Sequence, residues 1–326
     1  MKTKLLLFLA IISVIIPIPT FAYSDKVILG GENIGIEVKS DGIIIVGFYE
    51  INNKDINKSN NIKLGDKIIK INNKNINNID EMIKAIKESL KNNEVSIVIK
   101  RDKEEIKTKL QVIEDKNGIY KTGLYVKDTI SGIGTLTYID PETKIYGALG
   151  HEIIENYSKN IVEIKEGTIF ESTITSINKT KKNKTGEKEA TINKSKTYGN
   201  IKENTNSGIY GIYTEKHSTD ELIDIGNIND IHTGKAYIYT VLDNNNKEKY
   251  EINIIKIDKA STTKNILFEI TDQKLIDKTG GVIKGMSGSP IIQDDKLVGA
   301  VTHAIQNKNN MGFGIFITTM LEEGDT

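Results

Sequence analysis

The stretch TGGVIKGMSGSPIIQDDKLVGAVTH, residues 279 to 303, decides how this chain is read. Its hexapeptide GMSGSP (285–290) sets Ser287 and Ser289 among two glycines and a proline. A tight turn entering a strand would use these residues, and so would a nucleophile. Acyl transfer needs backbone N–H groups close to the substrate carbonyl, and a glycine lets them approach without a Cβ in the way. The residues that follow separate the two readings. PII and LVG pair around Asp294-Asp295 as a hairpin that sets Ile291 opposite Val298, and continuing the register brings Thr302 opposite Ser287. A strand therefore runs beside Ser287.

GMSGSP resembles the Gly-x-Ser-Gly-Gly-Pro element of chymotrypsin-like peptidases, with Ser289 at the place of the second glycine of that pair. The resemblance implies Ser287 as nucleophile, the N–H groups of Gly285 and Ser287 as an oxyanion hole, and LVGAVTH as a wall of the primary specificity pocket. A serine nucleophile needs a base within hydrogen-bond reach and a group that orients the base. Four histidines compete for the base. His217 in TEKHSTD and His232 in NDIHTGK sit in polar, loop-like surroundings. His151 closes KIYGALGH, where a strand-like run ends in small residues, and His303 is its rival through the hairpin count. HEIIE, beginning at His151, carries Glu155 where a zinc helix has its second histidine, so no metal is expected. The chain has no cysteine, which excludes a thiol nucleophile, thiolate metal sites and disulfides.

Composition sets the frame. Of 326 residues, 38% are hydrophobic and 27% charged, enough for more than one core. Lys+Arg 44 balance Asp+Glu 44, so the basic footprint of a nucleic-acid binder is missing. The Lys/Asn/Thr-rich segment 178–207 reads as an exposed insertion between strands. At the N-terminus, Lys2 and Lys4 precede an apolar run from Leu5 to Ile16 and then Pro17, Pro19 and Ala22, the pattern of an export signal, with a retained anchor as the alternative. Residues 1–24 are thus expected to be a signal peptide or membrane anchor.

Residues 25–110 carry the pattern of a small α+β module. GIIIVGFYE (42–50) reads as a strand and LGDKIIKINNKNI (64–76) as a hairpin. Ile79, Met82, Ile83, Ile86 and Leu90 recur at helical spacing, with Asn78 as N-cap and Glu81 completing a capping box. EVSIVIKR (94–101) alternates like a half-buried strand. With NIGIEV (33–38), this order resembles a PDZ domain. The resemblance implies a peptide-binding groove formed by Ile34, Gly35 and Ile36 with the helix from Ile79 to Leu90, taking peptide C-termini or internal segments by β-addition. From 115 to 326 the chain turns to many short β-like runs separated by Gly, Asn and Asp, the texture of a sandwich or barrels.

GLYVKDTISGIGTLTYIDPETKIYGALGH together with EITDQKLIDKTGGVIKGMSGSPIIQDDKLVGAVTH resembles the stage IV sporulation protein B peptidases of endospore-forming bacteria. The resemblance implies a mainly β fold, with a chymotrypsin-like double β-barrel peptidase domain preceded by the PDZ domain. It implies a triad of His151 as base, Asp272 as orienting acid and Ser287 as nucleophile, with Asp224 and Asp230 as other candidates for the acid, and it requires no cofactor. It further implies export across the forespore membrane into the intermembrane space, self-cleavage, and cleavage of a membrane-associated regulator that helps activate a late mother-cell sigma factor. A catalytically silent PDZ-bearing adaptor is the competing expectation.

Overall fold

A computed structural model describes residues 23–57, 60–182, 184–216 and 222–325. Residues 1–22, most of the segment 1–24 expected to be a signal peptide or membrane anchor, and His217 lie outside the described residues. No helix among the described residues is long and apolar enough to cross a membrane.

The chain opens with β1 (Lys26–Leu29) and β2 (Asn33–Phe48), the latter sixteen residues long and shared by two modules. The bend in β2 falls at Gly42, whose φ of 91° suits glycine. The first module adds β3 (Lys67–Ile71), β4 (Lys74–Asn75), α1 (Ile79–Ser89), β5 (Glu94–Arg101) and β6 (Glu104–Gln111). Asn72 and Asn73 take the left-handed conformations of the β3–β4 turn, at φ 43° and 66°. The Glu81 amide donates to the Asn78 side chain at 2.8 Å, and the Glu81 carboxylate accepts from the Asn77 amide, so the capping box closes one residue earlier than the sequence pattern implies. Met82, Ala85 and Ile86 of α1 pack on Ile43, Ile45, Ile68, Ile97 and Ile99 of the sheet.

After a short hairpin of β7 (Ile113–Glu114) and β8 (Tyr120–Lys121), β9 (Leu124–Ile139) runs back through both modules. Then come β10 (Ile145–Ala148), β11 (Ile164–Asn178), β12 (Glu187–Ile201), β13 (Glu203–Thr205) and β14 (Gly208–Ile212). Antiparallel pairing runs β12-β11-β2-β9-β10-β14, and a bridge from Gly199 to Tyr213 closes the ring. Its core holds Ile34, Ile36, Leu136, Tyr146, Ile169 and Ile209.

The second barrel follows β15 (Leu222–Ile225) and contains β16 (Gly234–Val241), β17 (Lys247–Ile257), β18 (Ile266–Ile270), α2 (Gln273–Thr279), β19 (Pro290–Gln293), β20 (Lys296–Ile305) and β21 (Lys308–Phe316). Pairing β16-β17-β18-β21-β20-β19 returns to β16 and closes this ring as well. α3 (Ile317–Gly324) lays Ile317, Met320 and Leu321 over Tyr138 and Tyr210, tying the second barrel to the first. The fold is mainly β, with two barrels following a small α+β module.

Three expectations are corrected. Ile34, Gly35 and Ile36 do not form a groove edge, because each is paired on both sides, to β9 and to β11. This half of β2 is a barrel strand, so the first module's own sheet starts near Ile43. The edge beside α1 is filled instead by Leu124–Lys127, paired antiparallel to Ile44–Phe48. Segment 178–207 is largely the fifteen-residue strand β12 rather than an insertion. In the β19–β20 hairpin a bulge after Ile291 sets it opposite Gly299 rather than Val298, although Asp294 and Asp295 make the turn at φ 50° and 59°. Asn78→Ala, which removes the α1 cap, should destabilise the chain by about 1 kcal/mol, read as a lower midpoint in urea with an unchanged slope.

Candidate active site

His151 is delivered by the end of β10. Leu149 and Gly150 both have left-handed backbones, φ 69° and 70°, and turn the chain out of the first barrel. Leu149 is not a glycine, so its conformation has to be held. Its amide donates to the Thr135 carbonyl oxygen at 3.3 Å, and its side chain is buried in the barrel core.

Ser287 arrives from the other barrel on the loop before β19. Met286 anchors the loop in the second core, and the Gly288 amide donates to Val301 O at 2.7 Å. The opposite side of the loop is pinned by the first barrel. The Thr135 hydroxyl donates to Gly285 O at 2.8 Å, the Thr135 amide to Ser287 O at 2.9 Å, and the Thr137 hydroxyl to Gly288 O at 2.8 Å. Gly288 is compulsory here. At φ 92° a Cβ would lie 2.0 Å from Thr135 O and 2.6 Å from the Leu149 nitrogen.

Ser287, Gly285 and His151 face one cleft of about 430 Å³, walled by Ile36, Ile133 and Leu149. The amides of Gly285 and Ser287 have no acceptor among the described residues. Two unpaired donors flanking a serine at a cleft are what an oxyanion requires. The His151 Nδ1 lies 2.8 Å from the Glu152 carbonyl oxygen. A carbonyl only accepts, so Nδ1 carries the proton and Nε2 keeps its lone pair. Burial pulls the His151 pKa below its ordinary value, against smaller upward effects of the Glu152 carbonyl and carboxylate. The ring is therefore neutral at neutral pH, as a base must be. The Ser287 hydroxyl donates to Thr302 O at 2.7 Å, so in this resting arrangement it is turned toward β20.

The chain matches the SpoIVB peptidase S55 family over residues 118–321. It belongs to that family. Residues 33–112 match the PDZ domain family. No curated protein matches. Among solved structures, the chain is similar to a crystal structure of the Rv3671c protease from M. tuberculosis in its active form, at 12% identity and a TM-score of 0.30, over 58% of this chain and 71% of that one.

Within this S55 chain the structure brings together His151, Ser287, Gly285 and His303, but not Asp272. Asp272 caps α2: one carboxylate oxygen accepts from the Leu275 amide at 3.1 Å and the other from the Glu251 amide at 3.4 Å. The alternatives are engaged elsewhere as well, Asp224 with Lys26 and Asp230 with Lys296. The orienting acceptor on His151 is the Glu152 backbone carbonyl, which no side-chain pattern announces. His232 is on the surface, 2.8 Å from Asp294. Glu155 is buried and accepts from the Tyr157 and Ser158 amides, and no metal-binding group of three acidic, histidine or cysteine residues exists among the described residues.

Sequence reading also missed Thr135 and Lys188. Thr135 and Thr137 alternate as polar residues in an otherwise apolar strand half, which is a readable signal. Lys188 carries none, in a run of surface-like residues. Its ammonium nitrogen is buried, donates to the Thr240 hydroxyl at 2.9 Å, and its stem packs under Gly285. Burial drives its pKa down from 10.5 to about 7.

Two outcomes follow from this geometry. Thr135→Val keeps shape but leaves Gly285 O without its donor, and should slow reaction of Ser287 with a fluorophosphonate by about tenfold or more while costing about 1–3 kcal/mol of stability; Gly288→Ala should abolish that reaction. Between pH 7 and 10.5 the unfolded chain holds the Lys188 proton and the folded chain does not, so Lys188 costs stability there and the cost fades as pH rises. Lys188→Met should therefore be more stable relative to wild type at pH 7 than at pH 10.5, with the difference shrinking as pH rises in urea titrations.

Proposed function

We propose that this chain is a serine endopeptidase that works through an acyl-enzyme with Ser287 as nucleophile and His151 as base. The observation that carries the reading is the pair of unpaired amides, Gly285 and Ser287, facing the same cleft as a neutral, tautomer-fixed His151. The Ser287 hydroxyl rotates from Thr302 O toward His151 Nε2, gives up its proton, and Oγ attacks the scissile carbonyl carbon. The oxyanion is held by the two amides, and the His151 imidazolium, steadied by the Glu152 carbonyl, returns the proton to the leaving amine. Water then hydrolyses the ester by the same route.

We further take the protein to act after export between the forespore and mother-cell membranes, where it cleaves itself and a membrane-associated regulator in sporulation signalling. The Lys2/Lys4-flanked apolar N-terminus and the S55 family support this. In this proposal the PDZ-like module selects targets by β-addition at the edge of Ile44–Phe48, which requires Leu124–Lys127 to move aside. The adaptor reading draws on two observations: Asp272 is far from its expected role, and Ser287 is turned to Thr302.

The deciding measurement compares wild type with Ser287→Ala for self-cleavage fragments and for cleavage of an inactive copy. Wild type should yield fragments that the variant does not, with at least a 10³-fold difference in rate. Identical fragments from both would end the peptidase reading. The acid limb of the rate should lie below pH 6.5, because burial depresses the His151 pKa and the base is lost only as pH falls through that lowered value.

A further inference from the structure

His303 lies against the base rather than along the pocket wall. Its ring centroid is 4.8 Å from that of His151, with the planes inclined at 42°. A bulge between Val301 and His303 in the pairing with β21 interrupts the alternation of β20 and aims the imidazole across the barrel boundary. His303 Nδ1 is buried without a hydrogen-bond partner among the described residues, an arrangement that costs stability and calls for an account. The neighbouring Thr302 carbonyl holds the Ser287 hydroxyl, so two adjacent residues, Thr302 and His303, touch both Ser287 and His151.

We propose that His303 is a positioning residue for His151: its neutral ring closes the open side of the base, excludes water from it and fixes its plane. The proposal rests on the peptidase reading for its purpose, though not for its geometry. The Glu152 carbonyl fixes the tautomer from one side and the His303 ring restrains the plane from the other. The Glu152 carbonyl makes the Nδ1 hydrogen bond that a carboxylate makes in a His-Asp-Ser set, and the His303 ring packs against the imidazole.

The electrostatics agree. Burial, with smaller contributions from His151 and Lys264, holds the His303 pKa down at about 4. The charged groups facing the pair are Glu152, next to His151 on the chain, and Lys264, from the loop before β18; Lys284 lines the far side of the cleft. Two imidazoles in contact do not both ionise. With His303 neutral, the single proton that the pair accepts during turnover goes to His151.

Nuclear magnetic resonance titration of the His151 ring tests this without requiring activity, with the signal assigned by loss in His151→Gln. In wild type the ring should titrate below 6.5. In His303→Ala water enters and the midpoint should rise by about half a unit or more. His303→Gln, neutral and similar in size, should restore the wild-type midpoint, and thermal unfolding of both variants checks that they fold. In parallel, fluorophosphonate labelling of Ser287 should slow by about tenfold in His303→Ala and recover in His303→Gln. An unchanged His151 midpoint in His303→Ala overturns the proposal. It is equally overturned if His303→Ala abolishes labelling at every pH while His151→Ala retains it, since His303 would then be the base. Labelling that is the same in wild type and Ser287→Ala would sink the peptidase reading, while the titration still decides the role of His303.

Discussion

The site depends on Thr135 more than on any of the residues that line its cleft. Three of its groups make hydrogen bonds here: the hydroxyl to Gly285 O and the amide to Ser287 O, both across the boundary between the barrels, while the carbonyl accepts from the Leu149 amide within the first barrel. The first two set the loop that carries Ser287, and the third sets the turn that carries His151. A strand on the floor of the cleft thereby fixes the distance between two loops that arise from different barrels. Reaction rates are sensitive to displacements of an ångström, so such a bolt matters more than its bond energies suggest. Gly288 follows from it directly, since the second loop comes so close to Thr135 O that no Cβ fits between them.

What could be read from the sequence was whatever local chemistry enforces. Asn78 and Glu81 announced the start of α1 because an N-cap is a local hydrogen bond. Asp294-Asp295 announced a two-residue turn because few residues tolerate its backbone. That Ser287 and His151 lie at close backbone approaches was legible, because small residues mark such places, and the two line one cleft. The bulge after Ile291 was not legible, since the residues around it are buried on both sides of the hairpin and no alternation marks the change of register. Nor was the fate of Asp272: an aspartate just before a helix is a cap by local chemistry, and that local role is the one it plays here. Here the family pattern and the local rule pointed to different partners, and the geometry follows the local rule.

NIGIEV misled for a related reason. Alternation and a glycine define a strand, but they do not say which sheet it joins. β2 is long enough to serve two: its first half closes the first barrel and its second half lies in the PDZ-like sheet, with the turn at Gly42 between them. β9 repeats the arrangement in the opposite direction. Its first residues, Leu124 to Lys127, sit on the edge beside α1, where Leu124 enters the module's core and the neighbouring Asp128 carboxylate accepts from the Ile79 amide at the helix start. Eleven residues after Leu124 the same strand presents Thr135 to the loops of Ser287 and His151. The module's filled edge and the bolt of the site are thus parts of one hydrogen-bonded element.

In the proposed mechanism His151 has to work as a base without a carboxylate. In a His-Asp-Ser set the acid chooses the tautomer and stabilises the imidazolium. A carbonyl does the first task fully, because it has no proton to give, and the second in part, through its dipole. The larger loss in such sets comes from the wrong tautomer, and the Glu152 carbonyl prevents that. Burial then works in the base's favour at neutral pH by keeping the imidazole unprotonated, while making the imidazolium more costly once it forms. Glu152, whose charge raises the His151 pKa, offsets part of that cost from the cleft wall. In the proposed mechanism this arrangement gives a base that is always ready and a transition state only moderately stabilised, with the Ser287 hydroxyl released from Thr302 O when a substrate binds.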